Sequence, residues 1–157
     1  MYLIKTMCFF ASLALINEDE KSKNLKMSND VLFLVNKIRQ EGCKCGNDFY
    51  PSVPKLEWNK NLETAAFNHS LNMHELNFFS HQDTFGKNVI DRVEAVGYNW
   101  IVLAENIAKN QQSAISVVES WINSEGHCKN IMNPEYDHMA VAKFGDFWTQ
   151  IFASKHP

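Results

Sequence analysis

The run His138-Met139-Ala140-Val141-Ala142-Lys143-Phe144, the pair Gly145-Asp146 and the run Phe147-Trp148-Thr149-Gln150-Ile151-Phe152-Ala153 decide the fold class. Two apolar, partly β-branched and aromatic runs flank a two-residue turn, which predicts a β-hairpin. Upstream, the signals are mostly helical. Val31, Leu34, Val35 and Ile38 recur at i, i+3, i+4 and i+7, after a cap at Ser28 or Asn29 and before a stop at Gly42. Asn59 caps a second helix with Leu62, Ala65, Ala66, His69, Met73 and Leu76 on one face. A third is expected over residues 88–95, closed by Gly97. A fourth covers residues 113–122, with Ile115, Val118 and Ile122 on one side, a face that Val117 and Trp121 widen, and Gly126 interrupts it. Residues 98–108 read as extended, and residues 43–54, with Gly46, Pro51 and Pro54 around Asn47-Asp48, as a loop. Helices come early and the clear hairpin late, so the expected class is α+β, with helices packed on an antiparallel sheet.

Length and charge narrow the function. A chain of 157 residues, 45% hydrophobic, is expected to form one domain with an ordinary core. A net charge of −3 supplies no basic face for nucleic acid and no polybasic run for anionic membranes. Residues 1–16 carry Lys5 and then an apolar run from Met7 to Ile16, too short to span a bilayer, and read as a secretory signal peptide. Residues 17–28 read as a disordered lead-in and residues 29–157 as the folded domain. The expected location is therefore secreted or periplasmic, with no transmembrane segment. Beyond the signal stand Cys43, Cys45 and Cys128. In an oxidising compartment Cys128 is expected to pair with one of the other two, closing a loop of roughly 80 residues. A metal site from Cys43, Cys45, Cys128 and His127 is the rival reading, and its spacings do not fit the usual zinc pattern.

No His-Glu-x-x-His, Gly-x-Ser-x-Gly or phosphate-binding glycine loop is present. The informative polar residues sit in three blocks: Phe78-Phe79-Ser80-His81-Gln82-Asp83, Ala104-Glu105-Asn106-Ile107-Ala108, and residues 121–132, which read WINSEGHCKNIM. His69 reads as a core histidine or a neighbour of these blocks. His74 and His138 read as surface or packing residues, and Asp91, Arg92 and Glu94 as the solvated or paired face of a helix. Met73, Met132 and Met139 read as core fillers, as do the four tryptophans.

These blocks, with Pro54-Lys55-Leu56-Glu57-Trp58-Asn59, residues 62–66, Gly97-Tyr98 and the terminal aromatic strands, resemble the CAP superfamily (cysteine-rich secretory, antigen 5 and pathogenesis-related 1 proteins; the SCP domain), in its bacterial-type branch. The resemblance runs over residues 30–152. It implies a three-layer α-β-α sandwich around a central antiparallel sheet, and a cleft lined by two histidines and two glutamates. His81, Glu105 and His127 match three of the four positions. Ser124 stands where the second glutamate is expected, with Glu125 beside it. The resemblance further implies a disulfide between Cys45 and Cys128, and it extends to a divalent cation, zinc foremost, held by His81 and His127 with Glu105 nearby. Asn106 is assigned a supporting hydrogen bond near Glu105.

Three functions follow. One is a secreted binding module for a lipid, sterol, glycan or protein. Another is a metal-dependent hydrolase with Glu105 and Glu125 as candidate catalytic carboxylates. A third is a structural extracellular domain with an inert pocket. The ligand and the oligomeric state are written in no motif of the chain.

Overall fold

The computed structural model describes residues 3–155, with side chains from Asp19 onward except Glu20 and Lys21. The side chains of residues 1–18, on which the signal-peptide expectation falls, lie outside the described set. The elements in chain order are α1 (Leu3–Glu41), β1 (Cys43–Cys45), β2 (Asp48–Tyr50), β3 (Glu57–Trp58), α2 (Lys60–Glu75), α3 (Val89–Ala95), β4 (Trp100–Lys109), α4 (Ala114–Ile122), α5 (Glu125–Met132), β5 (His138–Phe144) and β6 (Phe147–Lys155).

The hairpin forms as expected, with β5 and β6 paired from His138↔Ala153 to Phe144↔Phe147. Gly145 takes φ +55 in its turn, a conformation glycine adopts without strain. β4 pairs antiparallel with β6, and the two residues of β3 pair parallel with β5. The main sheet therefore runs β3-β5-β6-β4, antiparallel but for β3, and β4 is an edge.

Alternation along the strands builds two cores. Met139, Val141, Trp148 and Phe152 point to one face and pack with Val31 and Val35 of α1, Val117, Val118 and Trp121 of α4, and Ile131 of α5. Ala140, Ala142, Ile151 and Ala153 point to the other and pack with Leu62, Ala65 and Ala66 of α2 and Val93 of α3. Small residues on both α2 and the facing strands bring the helix close to the sheet. The result is the expected sandwich: α1, α4 and α5 on one face, α2 and α3 on the other.

Helix ends follow the local chemistry. Asn59 accepts from the N–H groups of Asn61 and Leu62, and Asn88 and Ser113 each close a capping box. Gly42, at φ +74, ends α1, and a Cβ there would lie 2.7 Å from Tyr50 O.

Four expectations need correction. Residues 17–28 are helical and continuous with the rest of α1 rather than a disordered lead-in. No glycine or proline interrupts residues 1–41, so the helix has no stop signal before Gly42. Ser28 consequently caps nothing, and its hydroxyl donates to Val141 O at 3.3 Å. The 43–54 loop contains a short hairpin, β1–β2, in which Cys43 pairs with Tyr50. Gly126 lies inside α5, and the break after α4 falls at Asn123 and Ser124.

Candidate functional site

The site is built around the free edge of β4. Successive residues of a strand face opposite sides, so Glu105 looks toward the α2–α3 layer and Asn106 toward α5. The edge position lets both layers reach round the strand.

Glu105 is buried, and both of its oxygens are engaged. Oε2 accepts from Arg92 Nη2 of α3 at 2.7 Å, and Oε1 from His81 Nδ1 at 2.8 Å. A buried carboxylate needs such partners, because desolvation of an unpaired charge is costly. Arg92 is only 8% exposed, and its guanidinium also donates to His81 O at 3.1 Å and Lys87 O at 3.2 Å. It thus fixes the loop that carries His81 as well as the carboxylate that orients the ring. Of the two expectations for Arg92, a solvated or a paired residue, the structure shows the paired one, buried against Glu105 at the centre of the cluster.

The hydrogen bonds set the tautomers. Glu105 accepts, so His81 Nδ1 carries a proton and Nε2 is left open. The His81 side chain is 56% exposed, so this nitrogen is available to a ligand. His69, on α2, is fully buried and bonds Ser80 O through Nε2 at 2.9 Å, with Glu105 Oε1 4.0 Å away. Burial pushes its pKa below 6.5, with Glu105 opposing. His69 is therefore a neutral histidine behind the cleft, pinning the loop before His81.

His127 reaches the site from the other layer. Burial, and then the neighbouring His81, lower its pKa below 6.5, which keeps the imidazole neutral at pH 7. Its position is held through amides. Asn106 Nδ2 donates to His127 O at 3.3 Å and to Gln150 Oε1 at 3.0 Å, and Asn130 Nδ2 donates to Asn106 Oδ1 at 2.8 Å. Asn106 therefore supports His127 rather than the backbone beside Glu105. Arg39, fully buried at the end of α1, donates to Ile131 O and Asn133 O and anchors the last turn of α5. Its pKa is lowered to about 10 by burial.

The remaining candidates lie apart. Glu125 is tied to Lys129 Nζ at 2.6 Å and lies against Gly46 in the β1–β2 turn, with no bond to His81, Glu105 or His127. Ser124 is the N-cap residue of α5 and makes no side-chain cap bond. Cys45 and Cys128 are joined, which ties the hairpin after α1 to the residue next to His127, and Cys43 is free.

A cation ligated by all three of His81, Glu105 and His127 would have to share Glu105 with Arg92 and His81, which already engage both of its oxygens. Among the described residues those donors do not lie within 4.8 Å of one another. What the arrangement offers is one open imidazole nitrogen from His81, the ring of His127, and Glu105 behind His81 as an orienting partner. A groove of about 890 Å³ opens elsewhere, between residues 23–28 of α1, α2 and the β5–β6 hairpin, with Leu25, Met27, Phe67 and Phe144 in its wall and no candidate residue among its lining.

The family model described as "CAP: Cysteine-rich secretory protein family" matches residues 32–152. The chain belongs to the CAP family. Two Bacillus subtilis proteins are similar to it: YlbC, described as an uncharacterized membrane protein, 34% identical over 139 residues, and YkwD, described as uncharacterized, 37% identical over 102 residues. These matches cover 87% and 64% of the chain but 38% and 40% of the relatives, so the chain spans about two fifths of the length of the curated relatives it matches. The structure of an SCP-domain extracellular protein from Bacillus anthracis superposes with a TM-score of 0.75 at 28% identity, covering 84% of this chain and 41% of that one. Among the described residues no helix is long and apolar enough to cross a membrane.

Proposed function

We propose that this CAP domain is an exported, non-catalytic binding module that holds a lipid, glycan or protein ligand at its surface. The observation that carries this reading is the state of the carboxylates. Glu105 is held on both oxygens by Arg92 and His81, Ser124 replaces the second glutamate, and Glu125 is turned toward Lys129 and Gly46. Neither Glu105 nor Glu125 is left poised as a general base, whereas a rigid imidazole with an open nitrogen suits recognition. Phe79 and Phe85, 49% and 79% exposed, stand on the same loop as His81 and offer apolar faces to a ligand. Export is supported by the apolar N-terminal run, by the disulfide, and by the description of the Bacillus anthracis protein as extracellular. Should zinc or another divalent cation occupy the cleft, His81 and His127 are the residues to hold it, and Glu105 would keep His81 in the ligating tautomer.

Native mass spectrometry of the protein recovered from the export compartment tests this. The expected result is a bound ligand retained by the parent chain and lost from a folded H81A/H127A variant. Turnover of an ester, peptide or glycan substrate that disappears in E105Q would replace this reading with the hydrolase.

A further inference from the structure

The free thiol of Cys43 stands beside the disulfide and gathers three sulfurs into one cluster. Cys43 and Cys45 are separated by one residue on β1, so their side chains share a face of the strand. Cys128, on α5, meets that face. Cys43 Sγ lies 3.6 Å from Cys128 Sγ and 3.9 Å from Cys45 Sγ, and these are the only three His, Cys, Asp or Glu donors mutually within 4.8 Å among the described residues. Thiolates bound to a zinc-sized ion at about 2.3 Å sit about 3.8 Å apart in a tetrahedral shell and about 4.0 Å apart in a trigonal one, and a larger ion such as Cd(II) needs somewhat more. Both non-bonded separations fall in that range or just below it. Cys45 and Cys128 are fully buried, so the cluster is dry on two sides.

We propose that the cluster is a redox-gated site for a soft d10 cation such as Cu(I) or Cd(II), closed while Cys45 and Cys128 are joined and opened when that bond is reduced. A dithiol reductant supplies two electrons and two protons to the Cys45–Cys128 bond and leaves as its own disulfide. The three thiols then lose three protons as one cation binds three sulfurs. Sulfur donors select soft ions over magnesium or calcium. The Cys-x-Cys spacing is not that of the usual paired zinc ligands. On a strand the same spacing places both sulfurs on one side, and α5 supplies the third.

The test uses the full chain produced in a reducing cytosol and kept under nitrogen with a phosphine reductant. Cd(II) is the probe, read by its ultraviolet sulfur-to-metal charge-transfer band and by circular dichroism. The expected result is one Cd(II) per reduced chain with the intensity of three thiolates, and none bound by the oxidised chain. C43S, which retains both disulfide cysteines, is expected to bind more than about 100-fold more weakly when reduced, beyond the loss typical of a supporting residue. If the reduced chain unfolds, Cd(II) is expected to restore its helical signal in the parent and not in C43S. Equal affinity in C43S overturns the proposal. So does a reduced, folded parent that binds nothing, or an unfolded one that takes up metal without regaining helix.

Discussion

Replacing Arg92 with Met tests how the cleft is held. The substitution keeps most of the side-chain bulk and removes the guanidinium that contacts Glu105 Oε2, His81 O and Lys87 O. Glu105 would be left buried with only the His81 imidazole as partner. Removing one member of a buried ion pair costs roughly 3–5 kcal/mol, against about 0–1 kcal/mol for an exposed pair. The side chains of Arg92 and Glu105 are 7% and 2% exposed, which places them in the first class. A loss of ~3 kcal/mol lowers the melting temperature of a chain this size by about 6–12 °C. Urea unfolding of R92M, E105Q and the double variant, fitted as a cycle, isolates the pair. The double variant is expected to lose much less than the sum of the singles, because it strands no charge. A cost under about 1 kcal/mol for R92M would refute the reasoning, since the pair would then behave like a surface contact.

Other expectations are more local. Reducing the Cys45–Cys128 bond, 83 residues apart, should lower stability by about 4–5 kcal/mol in the chain-entropy model, read by denaturant midpoints with and without reductant. His69 and His127 have folded pKa values below 6.5, so their contribution is present above that pH and lost as pH falls from 6.5 toward the lowered values. Melting temperatures should therefore decline below about pH 6.5, and the decline should shrink in H127N. At Gly145 a Cβ would collide with the His74 ring at φ +55, so G145A should cost more than about 1 kcal/mol in thermal unfolding. W121A removes a fully buried indole that donates to Ile107 O at 3.3 Å, and should cost about 3–5 kcal/mol.

Much of the fold was legible because its signals are local. The Gly145-Asp146 turn, the cap at Asn59 and the stop at Gly42 each act within a few residues. β3 and the β1–β2 hairpin escaped because strands of two or three residues have no period to detect, and their partners are set by tertiary packing. The helical state of residues 17–28 escaped because polar composition reads as disorder, although nothing in that stretch breaks a helix.

At the site, His81 and Glu105 were named together through the resemblance, and they do touch. Arg92 was missed, and a signal for it existed. Only Arg39 and Arg92 among the 15 basic residues are arginine, and both are buried. A chain that uses lysine elsewhere and arginine twice is using the guanidinium for its fork of donors, which a lysine cannot reproduce. The role of Asn106 was unreadable because it depends on Gln150 and Asn130, which only the β4–β6 register and the seating of α5 bring within reach.

Crystallography of the exported protein at neutral pH, with and without zinc, tests most directly whether β4 gathers a single cleft from both layers. The account requires Glu105 to be shared between Arg92 and His81, with His81 Nε2 and the His127 ring opening onto the same hollow. An electron-density map with Glu105 turned to solvent, or with the two imidazoles on separate surfaces, would contradict it.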